Sequence, residues 1–148
     1  MGYYFKFEKI LQIKEREKEE IQSGYHRAKR QFEQVAEKLY ELLKKKEDLL
    51  AFQESQLASG FPVYEIQHYQ LFISNLEKMI DYQQQLVMNA RNRMFWFENK
   101  LKEKNIEVKK YEKIKEKEWQ KYQKLLGQME NREMDELSVI QFMNRRNR

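Results

Sequence analysis

The sequence predicts an all-α protein, two long helices in an antiparallel two-stranded coiled-coil hairpin. Three observations predict it. Charged residues make up 36% of the 148, with four glycines and one proline, a composition typical of long helices. Apolar residues recur at alternating steps of four and three along two stretches. The stretches are separated by "LASGFPV", which holds the chain's single proline.

The first helix is expected over about residues 5–58. From Ile21 the repeat runs through Tyr25, Ala28, Phe32, Val35, Leu39, Leu42, Lys46 and Leu49, and only Lys46 is polar. Stepping back from Ile21, it meets Lys18 and Lys14 before Leu11, Phe7 and Tyr4. A turn is expected at about residues 59–62. Gly60 suits the left-handed cap after the first helix, and Pro62 suits the first turn of the second, where its missing N–H costs nothing. Glu65 then lies near the positive end of that helix. So short a connection makes the two helices antiparallel neighbours.

The second helix is expected over about residues 62–140, with a frayed tail at 141–148. Its repeat runs from Ile66 to Met129, and fifteen of nineteen positions are apolar or aromatic. A 3.5-residue repeat sustained this long specifies a left-handed supercoil; two unrelated amphipathic helices would drift by about 20° per heptad. A hairpin turning near residue 60 pairs positions whose numbers add to about 120. Lys104 on the second seam then falls between Lys14 and Lys18, predicting one loosened polar stretch. Gly24 falls opposite Trp96, small against large. At 1.5 Å per residue the helices are expected to run about 80 Å and 115 Å, a rod whose second helix overhangs beyond about residue 115.

This pattern argues against an enzyme. There is no cysteine, hence no thiolate nucleophile or disulfide. The four glycines are isolated, so no phosphate-cradling loop exists. His26 and His68 are far apart and form no metal-ligand pair. Carboxylates abound, but a two-stranded rod has little desolvated space in which to tune one. No catalytic, cofactor-binding or metal site is expected. Apolar runs reach only four residues, as in "MFWF" at 94–97, far short of the ~20 residues that span a bilayer. Gly2 has Lys6 where a myristoylation motif has Ser or Thr. A soluble, intracellular protein is the expectation.

Two surfaces stand out. Phe72, Met79 and Leu86 repeat at seven residues beside the seam, where charged residues usually flank a coiled coil. The opposite flank carries Gln70, Glu77 and Gln84. One apolar flank near the tip reads as a partner-binding strip or the seat of a third helix; locally widened two-stranded packing is the alternative. The lysine-rich stretch 100–124 interleaves bases with acids and aromatics. Net charge is only +5, so solvated helix faces come first. A basic module that binds nucleic acid or an anionic membrane surface is the alternative class, and such binding would weaken steeply with salt.

Several segments resemble the flagellar FliJ family: "YFKFEKILQIKEREKEE", "AEKLYELLKKKEDLL", "HYQLFISNLEKMI", "EKNIEVKKYEK" and "EMDELSVIQF". Together they extend along nearly the whole chain, and "YQLFISNLEKMI" and "MDEL" are the more specific parts. The final "MNRRNR" matches no family pattern. The resemblance implies a non-enzymatic, cytoplasmic component of the flagellar type III protein export apparatus, peripheral on the cytoplasmic face of the membrane at the flagellar base. It implies an antiparallel coiled coil similar to the stalk of rotary ATPases. Such a stalk links the hexameric export ATPase to the membrane export gate and aids recycling of export chaperones; no nucleic-acid partner is expected. By the same resemblance Tyr69, Phe72, Leu76 and Met79 face the gate, with Leu86 extending the flank. Arg132, Asp135 and Glu136 lie near the end inserted in the ATPase ring.

Overall fold

A computed structural model of the chain describes residues 3–60 and 62–147. Met1, Gly2, Phe61 and Arg148 lie outside the described residues. Two helices, α1 (Glu8–Ala58, 51 residues) and α2 (Val63–Arg146, 84 residues), pack against each other, and no strand occurs among the described residues. α2 continues to Arg146, past the end near 140 that the seam alone suggests.

The turn is built much as its residues dictate. Gly60 has φ +85°, the left-handed region that glycine enters without a Cβ penalty. The last turn of α1 closes with Ser59 N–H on Gln56 O (3.1 Å) and Gly60 N–H on Leu57 O (3.3 Å). Pro62 stands one residue earlier than expected. It precedes the first helical residue, and its carbonyl accepts from the N–H groups of Glu65 and Ile66, both at 3.1 Å. Pro62 is therefore the N-cap, a position whose own N–H takes no part in the helix.

The chain divides into two compact units. One comprises residues 19–102, and in it nearly all the predicted seam is buried or half-buried. Leu42, Leu76 and Ile80 form its centre, with Leu39 and Leu49 packed against them. The buried amide of Gln83 donates its Nε2–H to Val35 O at 3.0 Å, so the polar seam residue is satisfied rather than stranded. Phe52 and Tyr69 approach to 5.6 Å between ring centroids.

Gly24 does not meet Trp96. Trp96 is half exposed, and a Cβ at Gly24 would run into the ring of Phe97, with Cδ1 at 2.8 Å. The pairing numbers add to 121 here, one more than a turn centred on residue 60 suggests. That shift moves the seam aromatic, rather than its neighbour, against the glycine.

The other unit comprises Met1–Lys18 with Glu103–Arg148. Phe5, Leu11 and Val108 are its buried core, flanked by Tyr3, Phe7, Tyr111 and Ile114. Tyr4, expected on the seam, is 75% exposed. The helix begins at Glu8 rather than near 5, so helical spacing no longer governs residues 3–7. Tyr3 and Phe5 turn inward instead. Tyr3 packs on Trp119 (centroids 4.9 Å) and Tyr122 (5.2 Å), and its hydroxyl donates to Lys115 O at 3.4 Å. Burial is the main cause of its raised phenol pKa, with the Glu118 charge second.

This aromatic clasp extends pairing to Tyr122. Unpaired helix therefore starts beyond that residue and not near 115. Leu125 and Met129 continue the seam in sequence but lie exposed.

The polar break is occupied by ion pairs and is not a loosened stretch. Lys104 Nζ lies 3.0 Å from Glu17 Oε2, and Lys14 Nζ lies 3.3 Å from Glu107 Oε2. Farther along, Lys115 pairs with Glu8 at 2.9 Å. The hydrogen bond from Lys104 pulls the Glu17 carboxyl below its ordinary pKa, and the same bond raises Lys104; Glu8 raises Lys115. Glu17, lowered in the folded state, contributes stability above its ordinary range that is lost as pH falls through its folded value. Lys104 and Lys115, raised, contribute below the ordinary lysine range and lose it as pH rises through their folded values. The unit should thus hold a flat stability plateau at neutral pH and weaken at both extremes. Thermal melts from pH 3 to 12 would show this, and a maximum in acid would contradict it.

Candidate functional site

No group of three or more His, Cys, Asp or Glu side chains is placed to hold a metal among the described residues, and no described helix is long and apolar enough to cross a membrane. Exposed apolar surfaces are what the described residues do offer.

Near the turn, the tip-proximal residues separate into two sets. Leu76 is 3% exposed and faces the partner helix between Leu42 and Ile80. Tyr69 is half-buried beside Phe52. Phe72 and Met79 are exposed, at 45% and 52%, and Leu86 is half-buried. The flank thus exists, with Phe72 and Met79 as its accessible members. Lys45 reaches over the Phe72 ring at 5.6 Å from its centroid. A shallow groove beside Met79 is lined by Lys38, Leu42, Lys78, Tyr82 and Gln83. The sequence reading missed Tyr82, which is exposed three residues after Met79, one helical turn away. It also missed α1's share of exposed apolar surface. Leu43, Leu50 and Leu57 lie exposed at seven-residue spacing, the first two directly after the seam positions Leu42 and Leu49. Their heptad spacing was the available signal.

In the other unit, the end of α2 is bare. Every described residue from 128 to 147 is exposed, Arg132, Asp135 and Glu136 among them. Met134, Leu137, Val139, Ile140, Phe142 and Met143 are all more than half exposed. At 100° per residue these six side chains point around the whole helix circumference rather than along one stripe. A helix with apolar side chains on every side, interspersed with polar ones, has no single apolar face to dock. Asp135 and Glu136 sit among these side chains, lining one shallow groove with Val139 and Ile140.

Comparison with known proteins adds to this geometry. The family model described as "Flagellar FliJ protein" matches residues 3–147. The chain is 46% identical over 143 residues to the Flagellar FliJ protein of Bacillus subtilis (strain 168), with 97% of each chain covered. No solved structure matches it.

Proposed function

Since the chain belongs to the flagellar FliJ family, we propose that it is a non-enzymatic stalk of the flagellar protein export apparatus, joining the hexameric export ATPase to the membrane export gate. The observation that carries this reading is the bare, all-round apolar end of α2. A flat surface or a single groove would cover one side of residues 134–143 and leave the rest in water. A partner that surrounds the helix, as the pore of a hexameric ring does, covers every side. Arg132, Asp135 and Glu136 offer polar contacts at that same segment.

The exposed flank of Phe72 and Met79 suits the second partner, the gate. Leu76 supports the flank from within and does not touch that partner; Tyr69 contributes an edge, and Leu86 extends the strip. In this reading the protein works at the cytoplasmic face of the membrane and helps recycle export chaperones, for which the heptad-spaced Leu43, Leu50 and Leu57 offer surface.

Phe72→Ala tests the gate contact. Its side chain is nearly half exposed, so truncation should cost under about 1 kcal/mol of stability. Loss of an aromatic anchor from an interface costs about 2 kcal/mol or more in affinity. Phe72→Ala should therefore weaken binding to the gate's cytoplasmic part at least about thirtyfold, and Met79→Ala by less, both with unchanged helicity. Normal binding by both variants would remove the gate from this surface.

A further inference from the structure

The half-buried ion pairs of the break form a closed quartet. Lys14 and Glu17 are three residues apart on α1, and Lys104 and Glu107 are three apart on α2. The two Lys-x-x-Glu segments face each other crosswise: Lys14 to Glu107 at 3.3 Å and Lys104 to Glu17 at 3.0 Å. Along each helix the same groups meet again, Lys14–Glu17 at 3.7 Å and Lys104–Glu107 at 3.8 Å. Both crosswise pairs have residue numbers adding to 121. Glu107 Oε2 is fully shielded from solvent and makes no well-directed hydrogen bond, so its charge depends on the two lysines around it.

We propose that this quartet is the register lock of the hairpin, the element that fixes how α1 lies on α2 far from the turn. The turn sets register only near itself. From residue 17 to the turn there are about six heptads, and an unconstrained helix drifts about 20° per heptad, enough to carry the seam well off its partner. Apolar contacts at 3.5-residue spacing resist this drift weakly, because a slip of one heptad again sets apolar against apolar. Charges do not repeat in that way. A one-heptad slip in one direction sets Lys14 against Ile114 and Glu17 against Tyr111. In the other direction it sets Lys104 against Ile10 and Glu107 against Phe7. Either slip strands charges on apolar partners, the costly case for a desolvated ion. A polar group on a coiled-coil seam specifies register in this manner at some cost in stability.

Swaps within one helix test the lock without altering composition, net charge or the pairs along each helix. The doubly substituted Lys14→Glu/Glu17→Lys chain faces carboxylate with carboxylate and ammonium with ammonium across the seam. Adding Lys104→Glu/Glu107→Lys restores every crosswise pair with reversed polarity. Register is read by disulfide formation between cysteines placed at Glu8 and Lys115, which touch in the native register, and between Glu8 and Val108, one heptad nearer the turn on α2. The α1 swap should slow the 8–115 cross-link roughly fivefold or let 8–108 appear, and the fourfold swap should return both to parental behaviour. Should the α1 swap unfold the protein, recovery in the fourfold swap still reports the lock. An α1 swap that cross-links like the parent, or a fourfold swap that fails to recover, overturns the proposal.

Discussion

Ile73→Asp is expected to be the most damaging single change in the residue 19–102 unit. Ile73 is 7% exposed, on the seam between the two helices. An aspartate there puts a carboxylate into the buried seam, while Lys46 and Lys45 of α1 are engaged at Glu77 and over the Phe72 ring, so its desolvation is poorly compensated. The expected loss is about 3 kcal/mol or more. For a chain of this length that lowers Tm by roughly 10 °C. Its neighbour Phe72 differs in direction rather than position, and Phe72→Ala should melt near the parent. Thermal melts of the two variants side by side decide the matter. Equal losses would mean that Phe72 is core and that no docking strip exists on that flank.

Deletion of residues 125–148 should have the largest functional effect with little structural effect. The described residues of the deleted segment are exposed apart from half-buried Gly127, and they follow Tyr122, which packs on Tyr3. Surface changes of this kind move stability by about 0.5 kcal/mol or less, so the melting temperature should stay close to that of the full chain. Stimulation of ATP hydrolysis by the export ATPase should be lost, while binding through Phe72 and Met79 persists. A shortened protein that still stimulates would show that the bare end is not the ring-inserted element. One that melts far earlier would show that the overhang belongs to the core.

The seam was legible because a 3.5-residue repeat leaves a one-to-one trace in sequence. Ile73, Leu76, Ile80 and Val108 are buried where the repeat puts them. It was misread where the helix stops. Residues 3–7 precede α1, so Tyr4 and Phe5 exchange the places that helical spacing would assign them. Trp96 and Phe97 were confused for a different reason, an error of one in the pairing number, which rotates a side chain by about 100°.

The surface sites were harder. The resemblance placed Leu76 with Phe72 and Met79, although helical spacing alone separates a seam position from its flank. Glu17 and Glu107 were missed because they lie beside the seam, where an acid looks like any solvated residue until the lysine across from it is known. The bare end was legible only as the absence of a partner for the second helix. Its apolar residues at 134–143 follow no single repeat and so leave no trace along the seam.

Amide hydrogen exchange across the whole chain, with and without the hexameric export ATPase, tests the central claim most directly. In the free protein, residues 123–147 should exchange fast and the paired segments around Ile73, Leu76 and Val108 slowly. On adding the ATPase, protection should appear around residues 130–145 and leave 63–100 unchanged. Protection confined to 63–100, or none at all, would contradict a stalk that enters its ring by the bare end of α2.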